Sequence, residues 1–277
     1  MDTTATARPV RTDVAASYDR GVEGYVNVWS AVILPPARAV VAALDLSRTA
    51  TVVDVGAGSG ALVPSIRQAS PEGIVIAVDA SFEMLRSARD RTDAHAAHVD
   101  ALALPVREAS ADAVLLAFVL FHLSDPGQAL AEAARVLRAG GTVGTVTWAN
   151  ESTLPAYTVW DRILTDAGAL PPTARRVDTG LDSPQAMIDI LGAAGFHTTR
   201  IWTETLRHEW TPDTYWQLAT GSGLNRLRLD ALDDQTRAET LTRARQRLAA
   251  LQPSDFAWSG EVVCAVACKS RPRREHA

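Results

Sequence analysis

The spacing of apolar and polar positions changes along the chain, and these changes predict its secondary structure. Between Thr51 and Trp148, short apolar runs alternate with segments whose apolar side chains recur every three or four positions. The runs are typical of buried strands, and the segments between them are typical of amphipathic helices. Strands that alternate with helices favour a parallel sheet covered on both faces. The predicted strands of this part are residues 51–55, 73–78, 96–99, 112–118 and 142–148.

The flanking parts of the chain have a mostly helical pattern. Residues 14–44 form a predicted helical segment that Gly21, Gly24 and the Pro35-Pro36 pair interrupt. Two late strands complete the predicted sheet, and helices are inserted between the late strands. The further predicted elements are strands 198–210 and 261–268, and helices at 156–167, 183–195, from 211 onward and at 233–251.

These elements predict an α/β fold with a doubly wound, mostly parallel, seven-stranded sheet and helical lid insertions. We expect a single domain with a lid. Its predicted parts are N-terminal lid helices in residues 1–45, a ligand-binding core in residues 46–150, and the remainder of the sheet with inserted lid or substrate helices in residues 151–277.

Composition excludes several classes of partner. The chain has 277 residues and a formal net charge of −5, which gives no attraction to phosphate backbones or anionic lipids. We therefore expect neither a nucleic-acid nor a membrane partner. The two cysteines, Cys264 and Cys268, would lie too far apart on one strand for a disulfide, and the first residues lack the apolar segment of a signal peptide. We predict a cytoplasmic protein that is a monomer or a homodimer.

A glycine-rich loop follows the first predicted strand. Gly56, Gly58 and Gly60 alternate directly after Asp54, and a helix is predicted next. Glycines at such a position permit a tight turn and let the backbone approach a ligand closely. Asp79 ends the following strand, where a carboxylate can bind both hydroxyls of a ribose. The pattern predicts a nucleoside-containing ligand at this edge of the sheet.

Two enzyme classes use such a loop. A nicotinamide-dependent oxidoreductase usually has the spacing G-x-G-x-x-G, whereas this chain has G-x-G-x-G. The sequence also lacks a Tyr-x-x-x-Lys pair, since Lys269 is its single lysine. The loop together with the preceding Asp54 instead resembles motif I of class I methyltransferases that depend on S-adenosylmethionine (SAM).

Further segments strengthen this resemblance, in the order in which the family has them. Asp100-Ala101 resembles the acidic segment after the third strand, and residues 117–126 resemble the segment after the fourth strand in the ubiquinone/menaquinone-biosynthesis branch. Residues 137–141 resemble the helix end of that branch, and Tyr18-Asp19 is similar to its N-terminal element that closes over the cofactor.

The resemblance implies a Rossmann-like methyltransferase fold with SAM as its cofactor. It also implies that the enzyme transfers the methyl group to a small-molecule acceptor. Asp54 could contact the methionine end of the cofactor or only brace the loop, and both roles stay open. The cofactor-binding residues implied by the resemblance are Tyr18, Asp54, Gly56, Ala57, Gly58, Gly60, Asp79, Ala80, Met84, Asp100, Ala101 and Phe118.

The acceptor side is less defined by the sequence. His122 follows the fourth strand and is a candidate base, or it only braces the loop. His208 and Glu209 are alternatives for the base, and no set of residues has metal-ligand spacing. Aromatic residues of the lid either pack inserted helices or favour an aromatic or largely apolar acceptor. The high content of Ala and Arg and the low content of Lys are typical of a GC-rich bacterial source, for which we expect a role in specialised metabolism. The candidate pocket residues are Tyr25, Trp29, Trp148, Tyr157 and Trp160. A nicotinamide oxidoreductase, or a SAM-binding cyclase or binding module, stays an alternative.

Overall fold

The computed structural model describes residues 11–151, 153–170, 180–221 and 223–270. A seven-stranded sheet forms its centre. The strands are β1 (Thr51–Val55), β2 (Ile74–Asp79), β3 (His95–His98), β4 (Ala111–Ala117), β5 (Leu137–Glu151), β6 (Phe196–Glu209) and β7 (Ala257–Lys269). Their order in the sheet is β3-β2-β1-β4-β5-β7-β6. The order reverses between β1 and β4, and this is where doubly wound sheets bind ligands.

The first five strands run parallel, and the last two pair antiparallel. In the centre, Val53 of β1 lies in register with Ile76 of β2 on one side and Val114 of β4 on the other. β7 inserts antiparallel between β5 and β6. The predicted mostly parallel, seven-stranded α/β fold is thus confirmed.

Helices cover both faces of the sheet. One core cluster lies under α3 and the inserted helices, and the other lies under α6 and α8. The helices are α1 (Arg11–Arg20), α2 (Val22–Gly24), α3 (Ser30–Ala43), α4 (Val63–Ala69), α5 (Phe82–Arg91), α6 (Pro126–Val136), α7 (Pro155–Asp166), α8 (Pro184–Ala193), α9 (Pro212–Gly221), α10 (Gly223–Asp230) and α11 (Asp234–Ala249), with a π-helical turn at Tyr25–Trp29 and 3₁₀ turns at Leu120–His122 and Pro253–Phe256.

Several predicted boundaries were wrong. Pro35 and Pro36 do not interrupt the helical segment, since α3 continues through both of them and buries Val40 and Val41 against the sheet. Residues 137–141, which resemble a helix end in sequence, are not helical, since α6 already ends at Val136 and β5 begins at Leu137. β7 is longer than the predicted 261–268, whereas β6 begins two residues before and ends one residue before the predicted 198–210; the two strands pair along almost their whole length.

The stretch Val22–Ala43 has the length and hydropathy of a membrane-spanning helix. Core helices pass the same test. In the fold, the α3 part of this stretch packs against β5 and β7. Val40 is fully buried there. A Cβ at position 144 would collide with the side chain of Val40, so the glycine at this position permits α3 to pack closely on β5. Packing on the sheet therefore accounts for the buried apolar residues of α3.

Candidate active site

A cavity of about 460 Å³ lies at the carboxyl ends of β1, β2 and β4. This volume is in the range of sites for small ligands and cofactors. The glycine loop and the start of α5 form one side of the cavity. The segment after β4 forms another side, and α1 closes it from above. The strand order reverses here, so the cavity lies where the sequence predicts it.

The glycine loop is held in a left-handed backbone conformation at each of its glycines. Gly56 has φ +69°, and a Cβ on it would lie 2.2 Å from Cγ2 of Val119. At Gly58, with φ +55°, an added Cβ would come no closer than 4.0 Å to Tyr25, so this position stays open toward the cavity. The backbone amide of Gly56 donates to the carbonyl oxygen of Val78 at 2.7 Å. The loop is therefore hydrogen-bonded to β2, and at Gly58 no side chain separates its backbone from the cavity.

Asp79 links the glycine loop to the start of α5. Its Oδ2 accepts from the amide of Gly58 at 2.8 Å, and its Oδ1 accepts from the amide of Ser81 at 2.8 Å. Burial raises the pKa of Asp79, although these amide bonds act in the opposite direction. The two amide hydrogen bonds hold the carboxylate in a fixed orientation where it lines the cavity. No cationic group contributes to the shift in its pKa.

Asp54 lies beneath the loop and is only 1% exposed. Its Oδ2 is buried without a hydrogen-bond partner. Burial, and then the negative charge of Asp79, raise the pKa of Asp54 to about 7. A buried carboxyl group in this condition is destabilising unless a donor or a cation reaches it. Asp54 is thus suited to a ligand that brings positive charge.

The far side of the cavity is shaped by the segments that follow β2 and β3. Ala80, Met84, Asp100 and Ala101 all line it. His98 ends β3 and is exposed. It nevertheless lines the cavity mouth, with Nε2 2.9 Å from the carbonyl oxygen of Ala80. Sequence reasoning missed His98 because nothing in β3 indicates that its last side chain turns toward the ligand site.

The helix α1 closes the cavity as a lid. The hydroxyl of Tyr18 lies 3.1 Å from Nε2 of His122, which comes from the opposite wall. Asp19 accepts at Oδ1 from the hydroxyl of Ser81 at 2.6 Å and from the amide of Glu83 at 3.1 Å. The lid is thus fastened to the amino end of α5, whose N-cap is Ser81.

Aromatic side chains form the inner end of the cavity. Phe118 has a left-handed backbone with φ +58°, which is rare for a bulky residue and concentrates at functional sites. Its ring centroid lies 4.9 Å from that of Trp148. Trp29 lies 6.3 Å from Trp148, and both line the cavity. Burial is the largest cause that raises the pKa of Tyr25, which stays a neutral phenol beside these rings.

Two of the predicted pocket residues lie elsewhere. Trp160 is fully buried in the core and packs against Trp216, at 5.9 Å between ring centroids. Tyr157 is 43% exposed and does not line the cavity. Both lie on α7, which places its apolar face on the core rather than toward the site. The prediction that they line the acceptor pocket was wrong.

Two residues of the glycine loop also lie outside the main cavity. An added Cβ on Gly60 would meet Thr92 at 3.1 Å and Ala88 at 3.2 Å, so this glycine permits close packing on α5. Ala57 contributes to a small space beneath the loop and not to the cavity. Gly60 was predicted to contact the ligand, but in the structure it instead permits close packing on α5. Apolar residues not predicted as pocket residues complete the wall: Val14, Ala15, Ile33, Phe121 and Leu123.

The charge of the cavity distinguishes the candidate ligands. Its described lining contains Asp79 and Asp100 but neither arginine nor lysine. The pyrophosphate group of a dinucleotide would find no cationic side chain in this described lining. SAM brings a sulfonium and an ammonium group, and the buried Asp54 beneath the loop favours such positive charge. The described residues therefore fit SAM, while nothing among them is placed as a cluster of metal ligands.

The fold and the site together define a class I methyltransferase architecture. Residues 53–144 match the family described as the methyltransferase domain. The chain is 30% identical over 219 residues to a demethylmenaquinone methyltransferase of Renibacterium salmoninarum, which covers 77% of this chain and 84% of that protein. The [4+2]-cyclase SpnF has a similar structure, with a TM-score of 0.58 at 18% identity over 95% of this chain and 98% of that one.

Another relative is matched over a shorter part of its length. A malonyl-[acyl-carrier protein] O-methyltransferase of Pseudescherichia vulneris is 32% identical over 54% of this chain and 59% of its own. The chain spans only 30–59% of the length of the first three curated relatives that it matches. The long match to the demethylmenaquinone enzyme shows the family. This chain belongs to the SAM-dependent methyltransferases of the ubiquinone/menaquinone-biosynthesis type.

Proposed function

We propose that this protein transfers a methyl group from SAM to a small acceptor that is aromatic or largely apolar. The observation that carries this proposal is the contrast between the two ends of one cavity. At one end Asp79 lines the cavity beside the buried Asp54, and at the other end aromatic rings form the wall. A cationic cofactor suits the first end, and an apolar acceptor suits the second.

The cofactor would lie along the edge formed by the glycine loop and α5. Asp79 would bind the ribose hydroxyls, and Asp54 would attract the ammonium group, through the loop or directly. Ala80 and Met84 would flank the adenine ring, with Asp100 at its edge. When bound, SAM supplies a methyl group that its sulfonium charge already activates. The remaining contributions of the protein are alignment and the exclusion of water.

The acceptor would lie between the lid and the aromatic end. Trp29, Trp148 and Phe118 offer flat apolar surfaces there, and the lid covers them from solvent. His122 lies at the same end and would take the proton of an acceptor hydroxyl or amine. His208, an alternative base, instead lies against Trp210, 4.0 Å between ring centroids, and does not line the cavity.

The relatives suggest an acceptor class to test. The names of several relatives contain demethylmenaquinone or ubiquinone/menaquinone, which are ring systems of quinones. We propose a hydroxylated or amino-substituted aromatic compound, handled in the cytoplasm within bacterial specialised metabolism. Three compounds with one carbon skeleton separate the chemistries: 1,4-naphthoquinol for carbon or oxygen, 1-naphthol for oxygen and 1-naphthylamine for nitrogen.

Calorimetry with S-adenosylhomocysteine (SAH) and with NADH tests the cofactor. We expect binding of SAH and no binding of NADH, and the reverse result would overturn the assignment. A second experiment follows the label of methyl-labelled SAM into each of the three naphthalene compounds. A label in the product supports methyl transfer. A product formed without label would instead indicate a cyclase or another reaction that only retains the SAM site.

A further inference from the structure

Tyr18 and His122 approach each other from opposite walls of the cavity. Tyr18 lies on α1, whereas His122 ends the 3₁₀ turn Leu120–His122 after β4. The phenol oxygen and Nε2 are 3.1 Å apart, which is hydrogen-bond distance. Both side chains line the cavity, where the ring of Tyr18 contacts Tyr25 and that of His122 contacts Phe121. The lid thus brings a hydroxyl group to the candidate base.

We infer that Tyr18 and His122 form a proton relay in which Tyr18 contacts the acceptor and His122 takes up the proton. The inference rests on the proposed function, because it assigns a further catalytic residue to the same transfer. It also gives α1 a part in the reaction besides covering the cavity, since Tyr18 of this helix is one of the two groups that carry the proton.

The relay balances as follows. The acceptor O–H or N–H bond breaks, and its proton moves to the oxygen of Tyr18 while the original phenol proton moves to Nε2 of His122. The electron pair left on the acceptor forms the new bond to the methyl group, and the pair of the broken sulfur–carbon bond stays on sulfur. The positive charge of the reactants ends on the imidazolium. No other reactant is required.

The position of Tyr18 depends on how the lid is fastened. Its neighbour Asp19 accepts two hydrogen bonds at the start of α5, and Ser81 also donates its amide to Asp79. One short chain of contacts therefore connects the lid to the carboxylate proposed to bind ribose. On the inner side, the ring of Tyr25 supports Tyr18 edge-on, at 5.6 Å between centroids. The relay is complete only when α1 lies on α5.

Several charged or titratable groups border the pair. From α1, Asp19 lies beside it, and the π-helical turn contributes the phenol of Tyr25. Asp54 and Asp79, at the ends of β1 and β2, lie close enough to Tyr25 to raise its pKa, and Asp100 and His98 also line the cavity. The described cavity lining contains no lysine or arginine that could replace the imidazole as the site of the proton.

Replacement of Tyr18 by phenylalanine tests the relay. With naphthoquinol or whichever of the three compounds is methylated, we expect Tyr18→Phe to lower kcat about 100-fold, which is the low end of general-base effects. The wild-type rate should fall as pH drops through the range where an imidazole titrates, ordinarily near 6.5, and the variant should lose this limb. Tyr157→Phe is the matched control, since this tyrosine does not line the cavity.

A second measurement does not depend on turnover. In the SAH complex, the Nε2 resonance of His122 should shift between wild type and Tyr18→Phe, and His122→Gln identifies the signal. An unshifted resonance, or a Tyr18→Phe enzyme with wild-type kcat and pH profile, overturns the relay. A lid that is only structural would weaken SAH binding and leave the pH profile intact. Failure of the wild type to bind SAH would instead overturn the proposed function.

Discussion

The two ends of the cavity are built in different ways. The cofactor end takes Gly56, Gly58 and Asp79 from neighbouring strand ends, and its shape is set by backbone conformation and amide hydrogen bonds. The aromatic end brings Trp29 from the π-helical turn together with Trp148 from β5, and its shape is set by side-chain packing. A backbone-built end tolerates little change, whereas a packed end can be altered gradually. Substitutions at the two ends should therefore differ in kind.

The largest effect is expected at Gly56. In Gly56→Ala, the new Cβ would lie 2.2 Å from a methyl carbon of Val119, at a backbone φ of +69°. Overpacking and a left-handed alanine together should cost about 2–5 kcal/mol of the free energy of unfolding. Urea unfolding measures this loss, and calorimetry should detect no SAH binding.

Gly192→Ala is the matched control, since nothing lies within 4 Å of its added Cβ. Because Gly192 lies inside α8, alanine should stabilise the protein by about 0.5–1 kcal/mol. If both variants had the same stability as wild type, the backbone of the glycine loop would not be as constrained as the structure indicates.

The next effect concerns Asp54, whose raised pKa makes the protein less stable as pH rises, whereas a carboxyl group with a lowered pKa makes a protein more stable. Its pKa of about 7 lies above the ordinary 3.8, so the folded protein favours the protonated carboxyl. Stability is therefore lost as pH rises from the ordinary pKa toward 7, by about 4 kcal/mol in total at 1.4 kcal/mol for each pKa unit. Since Asn leaves its own amide unpaired, we expect Asp54→Asn to gain about 2 kcal/mol at pH 8.

Unfolding at pH 8 and pH 5 measures this effect in the ligand-free protein. The advantage of Asp54→Asn should shrink at pH 5, while its affinity for SAM should be lower than that of wild type at pH 8. The exposed Asp213→Asn serves as the control and should show neither change. An equal gain at both pH values would contradict the raised pKa.

Removal of the Asp79 carboxylate should lower the affinity for the cofactor more than it lowers the stability of the fold. In Asp79→Ala, the bonds from the amides of Gly58 and Ser81 are lost together with the proposed ribose contact. A charge-assisted contact contributes about 1.5–3 kcal/mol, so the affinity for SAH should fall at least 10-fold. Calorimetry measures the change, and unchanged affinity would remove Asp79 from the ribose site.

The cofactor end was also the part that sequence could predict. The loop residues and Asp79 are placed by their position at strand ends, and strands are readable from local patterns. The inner end depends on which face of each helix turns inward. Trp160 and Tyr157 lie on α7, and no local sequence pattern shows which face of this helix turns toward the cavity. Both residues were therefore predicted in the wrong place. The pairing of Tyr18 with His122 joins residues 104 positions apart, so it emerges only from the fold.

The smallest effect is expected from the aromatic end. Trp29 packs on Trp258 at 5.3 Å and on Trp148 at 6.3 Å between ring centroids, so part of its surface contacts other side chains of the protein. Phenylalanine retains an aromatic face but less area, so Trp29→Phe should lose about 1 kcal/mol of acceptor binding. The KM of the acceptor would rise about 5-fold. Affinity for SAH should stay within the error of calorimetry.

Trp216→Phe provides the comparison, because Trp216 packs between Trp160 and Arg245 and does not line the cavity. It should leave both constants unchanged. If Trp29→Phe weakened SAH as much as the acceptor, the two ends would not be separable, because the aromatic wall would then hold part of the cofactor. A change confined to the acceptor would show that this protein can acquire a different acceptor preference through its aromatic wall while its glycine loop and Asp79 stay the same.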